Sequence, residues 1–311
     1  MNAACEEYLT AVAAGDRTAA LAVVGRLQAA GVGALEIMSD VVAPTQTRVG
    51  ELWASDAWSV AQEHAATAVS EAVLGMLGAQ IPAPLDTARP VVVSCVEQEW
   101  HALPALLVAE HLRAGGLPVS YLGANASAEH LVRHVHETGP RAVALSCSLS
   151  SSLPRVRRQV QAVRATGTPV VVGGSAFDPA GVRASVIGAT AYARSGAEAV
   201  AVVRDLPSAV SPVPPLTHPG AEEGLGIYAD REELTAALRA RVAGVYPISD
   251  VGEVLAGWHR ALNDHLPQLV GAVSAALLIR DPAVLADAVT WLRSVMAHRG
   301  APEDVADRVL A

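Results

Sequence analysis

The length, composition and charge of the chain limit what it can be before any motif is considered. Its 311 residues suffice for two or three domains, and 51% of them are hydrophobic. No apolar run reaches the ~18–20 residues that a membrane-spanning helix needs, and the N-terminus shows no signal-peptide pattern. The formal net charge of −9 argues against a nucleic-acid binder. We therefore predict a cytoplasmic protein that contacts neither a membrane nor DNA directly.

The cysteines and arginines indicate neither a metal centre nor a basic binding surface. Cys5, Cys95 and Cys147 are far apart and lack metal-ligand spacing, so we predict small buried side chains rather than disulfides or zinc ligands. One basic cluster occurs, and we predict that it forms the solvated side of a helix. Its members are Arg155, Arg157, Arg158 and Arg164.

Residues 1–80 predict a bundle of about four helices. Apolar residues recur there at the spacing of one helix face, and Asp16 is suited to cap a helix after Gly15 ends the preceding one. A longer helix is predicted from about Ser59 to Ala79. The recurring apolar positions are Leu9, Val12, Ala13, Leu21, Val24, Leu27, Leu35, Ile37, Met38 and Val41.

After a proline-containing linker at residues 81–90, strands and helices alternate. The first strand, Val91–Val96, is a continuous apolar run of the kind found in buried parallel strands. Further strands are predicted at Pro118–Leu122, Ala142–Ser146, Pro169–Val172 and Ala189–Ala193. Helices are predicted at Pro104–Ala114, Ala128–Glu137, Leu153–Ala165 and Ala197–Asp205. This alternation predicts a flavodoxin-like, Rossmann-like domain at residues 90–206, with five parallel strands and a ligand at their carboxyl ends.

The last third of the chain predicts helices after an extended linker. Residues 207–219 contain five prolines, which favour an extended segment. Residues 220–311 predict an all-helical domain, including a buried helix at Leu269–Ile279. Helix starts are predicted at Asp230, Ser249 and Asp281-Pro282, and a last helix at Glu303–Ala311. The predicted fold class is α/β plus α: an N-terminal helical bundle, a parallel-sheet domain and a C-terminal helical domain.

The loop after the first strand carries the strongest candidate for a metal ligand, His101. Neutral imidazole is a common ligand for a borderline metal, and a neighbouring carboxylate can fix its tautomer. Glu99 is placed to do this, and Trp100 lies between the two at the ligand edge of the sheet. On these residues alone, a structural or merely exposed histidine is an alternative interpretation.

The residues around His101 also resemble a known motif. Glu99-x-His101-x-x-Pro104 is similar to the D/E-x-H-x-x-G signature of base-off cobalamin-binding domains. The resemblance implies that His101 is the lower axial ligand of the cobalt. Pro104 departs from the usual Gly, and it suits the first position of a helix.

Two later segments extend this resemblance at the ends of the third and fourth strands. Ser146-Cys-Ser148-Leu149 is similar to the family's S-x-S/T-L segment, and Gly173-Gly174 to its G-G pair. The resemblance implies that the first segment lines a slot for the displaced nucleotide tail of the cofactor. The two glycines would let the tail pass close to the backbone.

The N-terminal bundle contains a second resemblance, carried by Trp53, Glu63 and His64 in the pattern W-x9-E-H. It resembles the helical cap of CarH-type light-sensing cobalamin proteins, in which these residue types cover the upper face of the corrin and the adenosyl group. The resemblance covers residues 1–206 and implies adenosylcobalamin as cofactor. Without it, Trp53 is equally interpreted as core and Glu63-His64 as a solvated turn.

Two departures separate the chain from the CarH-type pattern. Those proteins carry a MerR-type DNA-binding module before the cap, whereas here the cap-like segment begins close to Met1. They also have a histidine directly after the cap tryptophan, which can ligate cobalt once light has removed the adenosyl group. Here that position is Ala54, so the family's light-state ligation is not implied for this chain.

The C-terminal helices place polar and aromatic side chains in an apolar sequence. Trp258, His259 and His265 are the main candidates for contacts with a ligand, and Trp258, Leu262 and His265 are expected on one helix face. Further candidates are Trp291, Arg293, His298 and Arg299. One interpretation is an amphipathic bundle used for dimerisation.

The other interpretation of these helices is a site for a second pigment. A CarH-type cobalamin domain without a DNA module but with a helical C-terminal domain resembles the photocobilins, which bind biliverdin besides cobalamin. Histidine and arginine suit the propionates and carbonyls of a linear tetrapyrrole. Because no cysteine occurs after Cys147, such a bilin would be held non-covalently.

Three functions follow from these patterns. The favoured hypothesis is a light sensor, not an enzyme, in which photolysis of the upper cobalt ligand repacks the cap; we expect a homo-oligomer with an unidentified downstream effector. The alternative is a corrinoid carrier for methyl transfer, which shares the His101 loop but does not predict W-x9-E-H. Cobalamin storage or chaperoning would explain the slot but not the cap.

Overall fold

The computed structural model of the chain describes residues 3–83, 89–246, 256–302 and 305. Its N-terminal bundle has four helical parts, as predicted. The first two are α1 (Ala3–Ala13) and α2 (Arg17–Ala29), and the last is α5 (Val60–Gly78). The third is one continuous helix made of α3 (Ala34–Ile37), a π-helical turn (Met38–Val42) and α4 (Ala43–Ala54).

Polar side chains fix where the bundle helices begin. The Asp16 side chain accepts a hydrogen bond from the Ala19 N–H at 2.9 Å, which confirms it as a cap. At the start of α5, Ser59 and Gln62 bond each other's backbone N–H in a capping box. The apolar faces meet in one core, which also receives Leu103 from the following domain.

The second region is the predicted parallel sheet, with strand order β2-β1-β3-β4-β5. The strands are β1 (Val91–Cys95), β2 (Val119–Gly123), β3 (Ala142–Ser146), β4 (Val170–Gly173) and β5 (Ala191–Tyr192). The helices are α6 (Ala102–Ala114), α7 (Ala128–Thr138), α8 (Leu153–Arg164), α9 (Val182–Val186) and α10 (Gly196–Asp205). Helices α6 and α10 cover one face of the sheet, and α7 and α8 the other. This confirms the flavodoxin-like fold.

Three details of the sheet domain differ from the prediction. Strand β5 is shorter than predicted, and the helix α9 lies between β4 and β5 where none is predicted. Helix α6 begins at Ala102, so Pro104 is its third residue rather than its first. Proline is tolerated there because the first N–H groups of a helix have no partner within the helix.

The predicted solvated basic face of α8 is wrong for Arg157, which is buried. Its guanidinium donates to the carbonyl oxygens of Ile187 at 3.1 Å and Pro214 at 2.5 Å. Arg164 likewise donates to the carbonyl oxygen of Ser211. A buried charge needs such partners, and these bonds hold the extended segment before the C-terminal helices against the sheet domain.

The C-terminal region is helical. Its helices are α11 (Pro219–Ala229), α12 (Arg231–Val245), α13 (Ala256–Ile279) and α14 (Ala283–His298). Asp230 and Asp281-Pro282 stand directly before α12 and α14, as predicted, whereas α11 begins ahead of the first predicted start. The predicted start at Ser249 and all of the predicted helix at 303–311 except Val305 lie outside the described residues. No helix in the described ranges combines the length and apolar character needed to cross a membrane.

The C-terminal helices share a core with the sheet. Ala272, Ala275 and Leu278 of α13 belong to the same buried cluster as the residues of β3, β4 and α8. The backbone approach is close, because a Cβ atom at Gly271 would lie only 2.8 Å from the carbonyl oxygen of Ser151. Helix α13 therefore packs beside the turn that follows β3, near the carboxyl edge of the sheet.

Candidate cobalamin site

His101 follows β1 at the carboxyl edge of the sheet, with one ring nitrogen bonded and the other available. Its Nδ1 donates to Glu99 Oε1 at 2.5 Å. The Glu99 side chain is 1% exposed, whereas that of His101 is 59% exposed. Among the described residues, nothing hydrogen-bonds to His101 Nε2. Metal-ligating histidines characteristically donate their other N–H to a carboxylate, so the geometry fits a ligand that offers Nε2.

Further bonds to Glu99 fix this pair. Its Oε1 also accepts from the His101 backbone N–H at 3.1 Å, and its Oε2 from the Ser148 backbone N–H at 2.8 Å. Burial acts to raise the pKa of Glu99, but the hydrogen bond and charge of His101 and the two backbone N–H groups outweigh it and hold the pKa below its usual value. Glu99 is therefore an ionised carboxylate that orients the imidazole.

The cap also acts on His101. The hydrogen bond with Glu99 raises the pKa of His101 and burial lowers it, while the charges of Glu99 and of Glu63 add to the increase. Glu63 belongs to α5 of the cap. Its carboxylate therefore lies close enough to the His101 ring for its charge to act on it.

Residues that the sequence did not reveal hold the loop in place. Gln98 has a φ of 61°, an uncommon left-handed conformation for a residue other than glycine. Its N–H donates to Asn125 Oδ1 at 2.9 Å, and Arg155 donates to its side chain at 2.5 Å. Arg158 pairs with Glu97 next to it. Arginines predicted to be merely solvated thus support the His101 loop.

The predicted slot residues lie at the ends of β3 and β4. Ser146 is buried, and the Ser148 backbone N–H binds Glu99 as described above. Gly174 has a φ of 105°, and a Cβ atom there would collide with the Cys147 carbonyl oxygen, while one at Gly173 would lie 2.7 Å from the Ala193 carbonyl oxygen. Only glycine fits both positions. Leu149 is half-buried beside them.

A cavity of about 410 Å³ opens from these strand ends between the sheet and helices α6 and α10. Ser146, Gly173 and Gly174 contribute to its wall, and apolar side chains such as Val93, Ala144 and Val171 form much of the rest. An apolar slot with a glycine wall beside His101 fits a flat aromatic nucleotide base. The lining also includes polar residues that the sequence did not reveal: Ser39 of the cap, His111 of α6, and Arg194 and Ser195 directly before α10.

The three predicted cap residues make different contacts. Glu63 and His64 are in the first turn of α5, where Glu63 accepts from Thr67 at 3.2 Å and the His64 side chain is 73% exposed. Trp53, near the end of α4, contacts the C-terminal helices instead. Its ring centroid is 5.8 Å from that of His265 and 6.1 Å from that of Trp291.

Arg299, at the end of α14, completes this contact. Its guanidinium lies 5.3 Å from the centroid of the Trp53 ring and donates to the carbonyl oxygens of Trp53 at 2.9 Å and Ala54 at 3.2 Å. It also lies 3.4 Å from Asp56. We call Trp53, His265, Trp291 and Arg299 the Trp53 cluster. It joins the cap directly to the C-terminal helices.

The other predicted C-terminal residues lie elsewhere. Trp258 is buried with Leu262 and with Leu292 of α14, and His265 contacts Trp291 of the same helix, as expected for positions i, i+4 and i+7 on one helix face. His259 is also buried. Trp258 Nε1 and His259 Nε2 have no hydrogen-bond partner among the residues that the structure describes, an unusual state for buried polar atoms.

Comparison with known proteins agrees with this site. Residues 89–204 match a family model described as a B12 binding domain, and residues 4–77 match a second model with the same description. The HTH-type transcriptional repressor CarH of Myxococcus xanthus is 36% identical over 146 residues, 46% of this chain and 48% of that protein. The match thus spans about half the length of this curated relative.

The fold also has a solved counterpart. The monomethylamine corrinoid protein of Methanosarcina barkeri superposes with a TM-score of 0.56 at 19% identity, covering 64% of this chain and 96% of that one. At this identity the likeness establishes the fold alone. The two B12-binding matches and the partial match to CarH lead to one conclusion: this chain is a cobalamin-binding protein related to CarH.

Proposed function

We propose that the chain is a light sensor that uses adenosylcobalamin, not an enzyme, and that its cap reports the state of the cofactor to the C-terminal helices. The observation that carries this proposal is the Trp53 cluster. Trp53 is the cap residue that the CarH-type pattern assigns to the upper face of the corrin. In this structure the same ring stacks on Trp291 and contacts His265 at a tilt of 43°.

Different residues of the chain would bind different parts of the cofactor. When bound, adenosylcobalamin supplies a cobalt–carbon bond that visible light breaks. His101, oriented by Glu99, would hold the cobalt from below, and the slot beside Ser146 and Gly173-Gly174 would hold the nucleotide tail. Trp53, Glu63 and His64 would cover the upper face.

The connection from cap to C-terminal helices is the proposed output path. Arg299 binds the last carbonyl groups of α4 and is only 10% exposed. Any displacement of α4 must therefore break these bonds or move α14 with it. Such a contact, with a bonded and an unbonded state, is the element that a switch requires. We propose that a homo-oligomer or a partner reads this movement.

We also propose biliverdin as a second chromophore within the C-terminal helices. The support is a pair of buried atoms, Trp258 Nε1 and His259 Nε2, that have no partner within the described part of the chain. Buried polar groups without partners are costly. His259 Nδ1 accepts from Asn263 Nδ2, so Nε2 is a donor like Trp258 Nε1, and the carbonyl and propionate oxygens of a linear tetrapyrrole would accept from both. His265, which lies in the Trp53 cluster, would then lie between the two chromophores.

The light-sensing proposal is tested by the absorption spectrum of the full chain with adenosylcobalamin, before and after illumination. We expect a light-dependent spectral change that Trp53→Ala alters strongly while the affinity for cobalamin changes little. The matched control is Trp58→Ala, because Trp58 packs on the core of the bundle. An unchanged photoresponse in Trp53→Ala, together with methyl transfer to an added acceptor, would favour the corrinoid carrier instead.

The biliverdin proposal needs point variants rather than a truncation. Removing residues 220–311 would strip Ala272, Ala275 and Leu278 from the core shared with the sheet. We therefore expect the intact chain to retain biliverdin through gel filtration as a red-absorbing complex, and Trp258→Phe with His259→Phe to release it. If biliverdin elutes free from the wild-type chain while the chain runs as a dimer, the helices are an assembly module.

A further inference from the structure

A serine–histidine contact lies at the cavity wall, and it joins the cap to the sheet domain. Ser39 Oγ is 3.2 Å from His111 Nε2. Ser39 belongs to the π-helical turn of the cap, and His111 to the last part of α6. Both residues line the cavity. Short π-helical turns occur frequently at functional sites, and here the turn carries Ser39 to the cavity wall.

The direction of this hydrogen bond follows from the second ring nitrogen. His111 Nδ1 lies 2.8 Å from the carbonyl oxygen of Leu107. A carbonyl oxygen only accepts, so Nδ1 carries the proton, and Nε2 of the neutral ring accepts from the Ser39 hydroxyl. The hydroxyl therefore saturates the one imidazole nitrogen that could otherwise bind a molecule in the cavity.

The position of the pair is well defined. His111 is ten residues beyond His101 along α6, roughly 15 Å at the rise of a helix, so it stands at the end of the cavity away from the proposed cobalt ligand. A Cβ atom at Gly196 would lie 2.6 Å from His111 Nδ1. The start of α10 thus confines the ring on one side, and the cap confines it on the other.

We propose that the Ser39–His111 pair contacts the far edge of the lower base of the corrinoid and selects bases whose far edge is apolar. This rests on the proposed binding of the nucleotide tail in the slot. The remainder of the cavity is largely apolar, and the pair is satisfied internally. An apolar edge such as that of dimethylbenzimidazole then leaves no buried polar atom unpaired. The cap, through Ser39, thereby takes part in choosing the cofactor.

Removing the hydroxyl should reverse the preference. In Ser39→Ala, the part-buried His111 Nε2 loses its donor, and a base that fills the cavity would shield it from water. An apolar base leaves it unpaired, whereas a base with a hydroxyl at its far edge donates to it. Because an unsatisfied buried acceptor is costly, we expect the ratio of the two dissociation constants to shift by about tenfold toward the hydroxylated base.

The experiment measures the binding of three corrinoids to the full chain by absorption titration. They are cobalamin, its analogue with hydroxybenzimidazole as lower base, and cobinamide, which lacks the nucleotide tail. We expect Ser39→Ala to shift the ratio of the first two and to leave the dissociation constant of cobinamide unchanged. The double variant Ser39→Ala with His111→Phe, which lacks the acceptor, should lose the shift.

The chain contains a matched control. Ser120 Oγ lies 3.0 Å from His134 Nε2, and His134 belongs to α7 on the opposite face of the sheet. Ser120→Ala therefore removes the same kind of bond away from the cavity and should leave the ratio unchanged. A ratio in Ser39→Ala within about twofold of wild type, with cobinamide still bound, would overturn the selection role. Failure of the wild-type chain to bind any of the three would instead overturn cobalamin binding itself.

Discussion

The His101 loop and the helices around Trp258 both bury polar groups, but they satisfy them differently. In the loop, each carboxylate oxygen of Glu99 has a partner, and the partners come from the neighbouring backbone. Around Trp258, two buried ring nitrogens have no partner among the described residues. In the His101 loop the supporting hydrogen bonds are complete, so only His101 Nε2 is left open for a ligand. A site with unpaired buried atoms depends on a ligand for its own polar balance.

The largest loss of cobalamin affinity is expected at His101, the residue with the open ring nitrogen. His101→Ala removes the open Nε2 and leaves the slot intact, so we expect cobalamin to bind at least about 100-fold more weakly or in its base-on form. Absorption titration measures both. His130→Ala, at an exposed histidine of α7, is the control and should bind as wild type. Wild-type affinity with an unchanged spectrum in His101→Ala would refute the ligand assignment.

Next in size is the effect of Glu99. Glu99→Gln keeps the shape of the side chain but removes the charge that orients His101, and we expect a 10- to 100-fold loss of cobalamin affinity, in the range of about 1.4–2.8 kcal/mol. The same titration measures it. Cobalamin affinity equal to wild type would show that the carboxylate is only structural. Glu129→Gln, in an exposed ion pair with Arg133, should change nothing.

The smallest effect concerns the link between cap and C-terminal helices. Arg299→Ala removes two hydrogen bonds to α4 and the ion pair with Asp56, and we expect the free energy of unfolding to fall by about 1.5 kcal/mol. Denaturant unfolding measures this. Arg133→Ala removes only an exposed pair and should cost close to nothing. Equal stability of the two variants would mean that the Trp53 cluster does not hold the regions together.

Local patterns made most of the fold predictable. The strands are continuous apolar runs, and the caps at Asp16 and Ser59 act within three residues of themselves. The orientation of His101 by Glu99 is equally local, because only Trp100 separates the two residues on the same loop. In each of these cases the interacting residues lie within a few positions of each other in the sequence.

The parts that sequence could not predict depend on partners far apart in the chain. Ser39 and His111 are separated by 72 positions, and Arg299 and Trp53 by 246. Nothing in the local pattern of either residue indicates the other. Arg157 was misassigned for the same reason, because its burial depends on carbonyl groups 30 and 57 positions away.

The most direct test of the account is the electron paramagnetic resonance spectrum of the cobalt(II) cofactor in chain labelled with ¹⁵N-histidine. If His101 is the lower ligand, each cobalt line is split into a doublet by the labelled imidazole. Unlabelled chain gives a triplet, and His101→Ala loses the doublet. A triplet that persists in the labelled chain would mean that the cofactor's own base remains on the cobalt, which would contradict both the His101 ligand and the use of the slot.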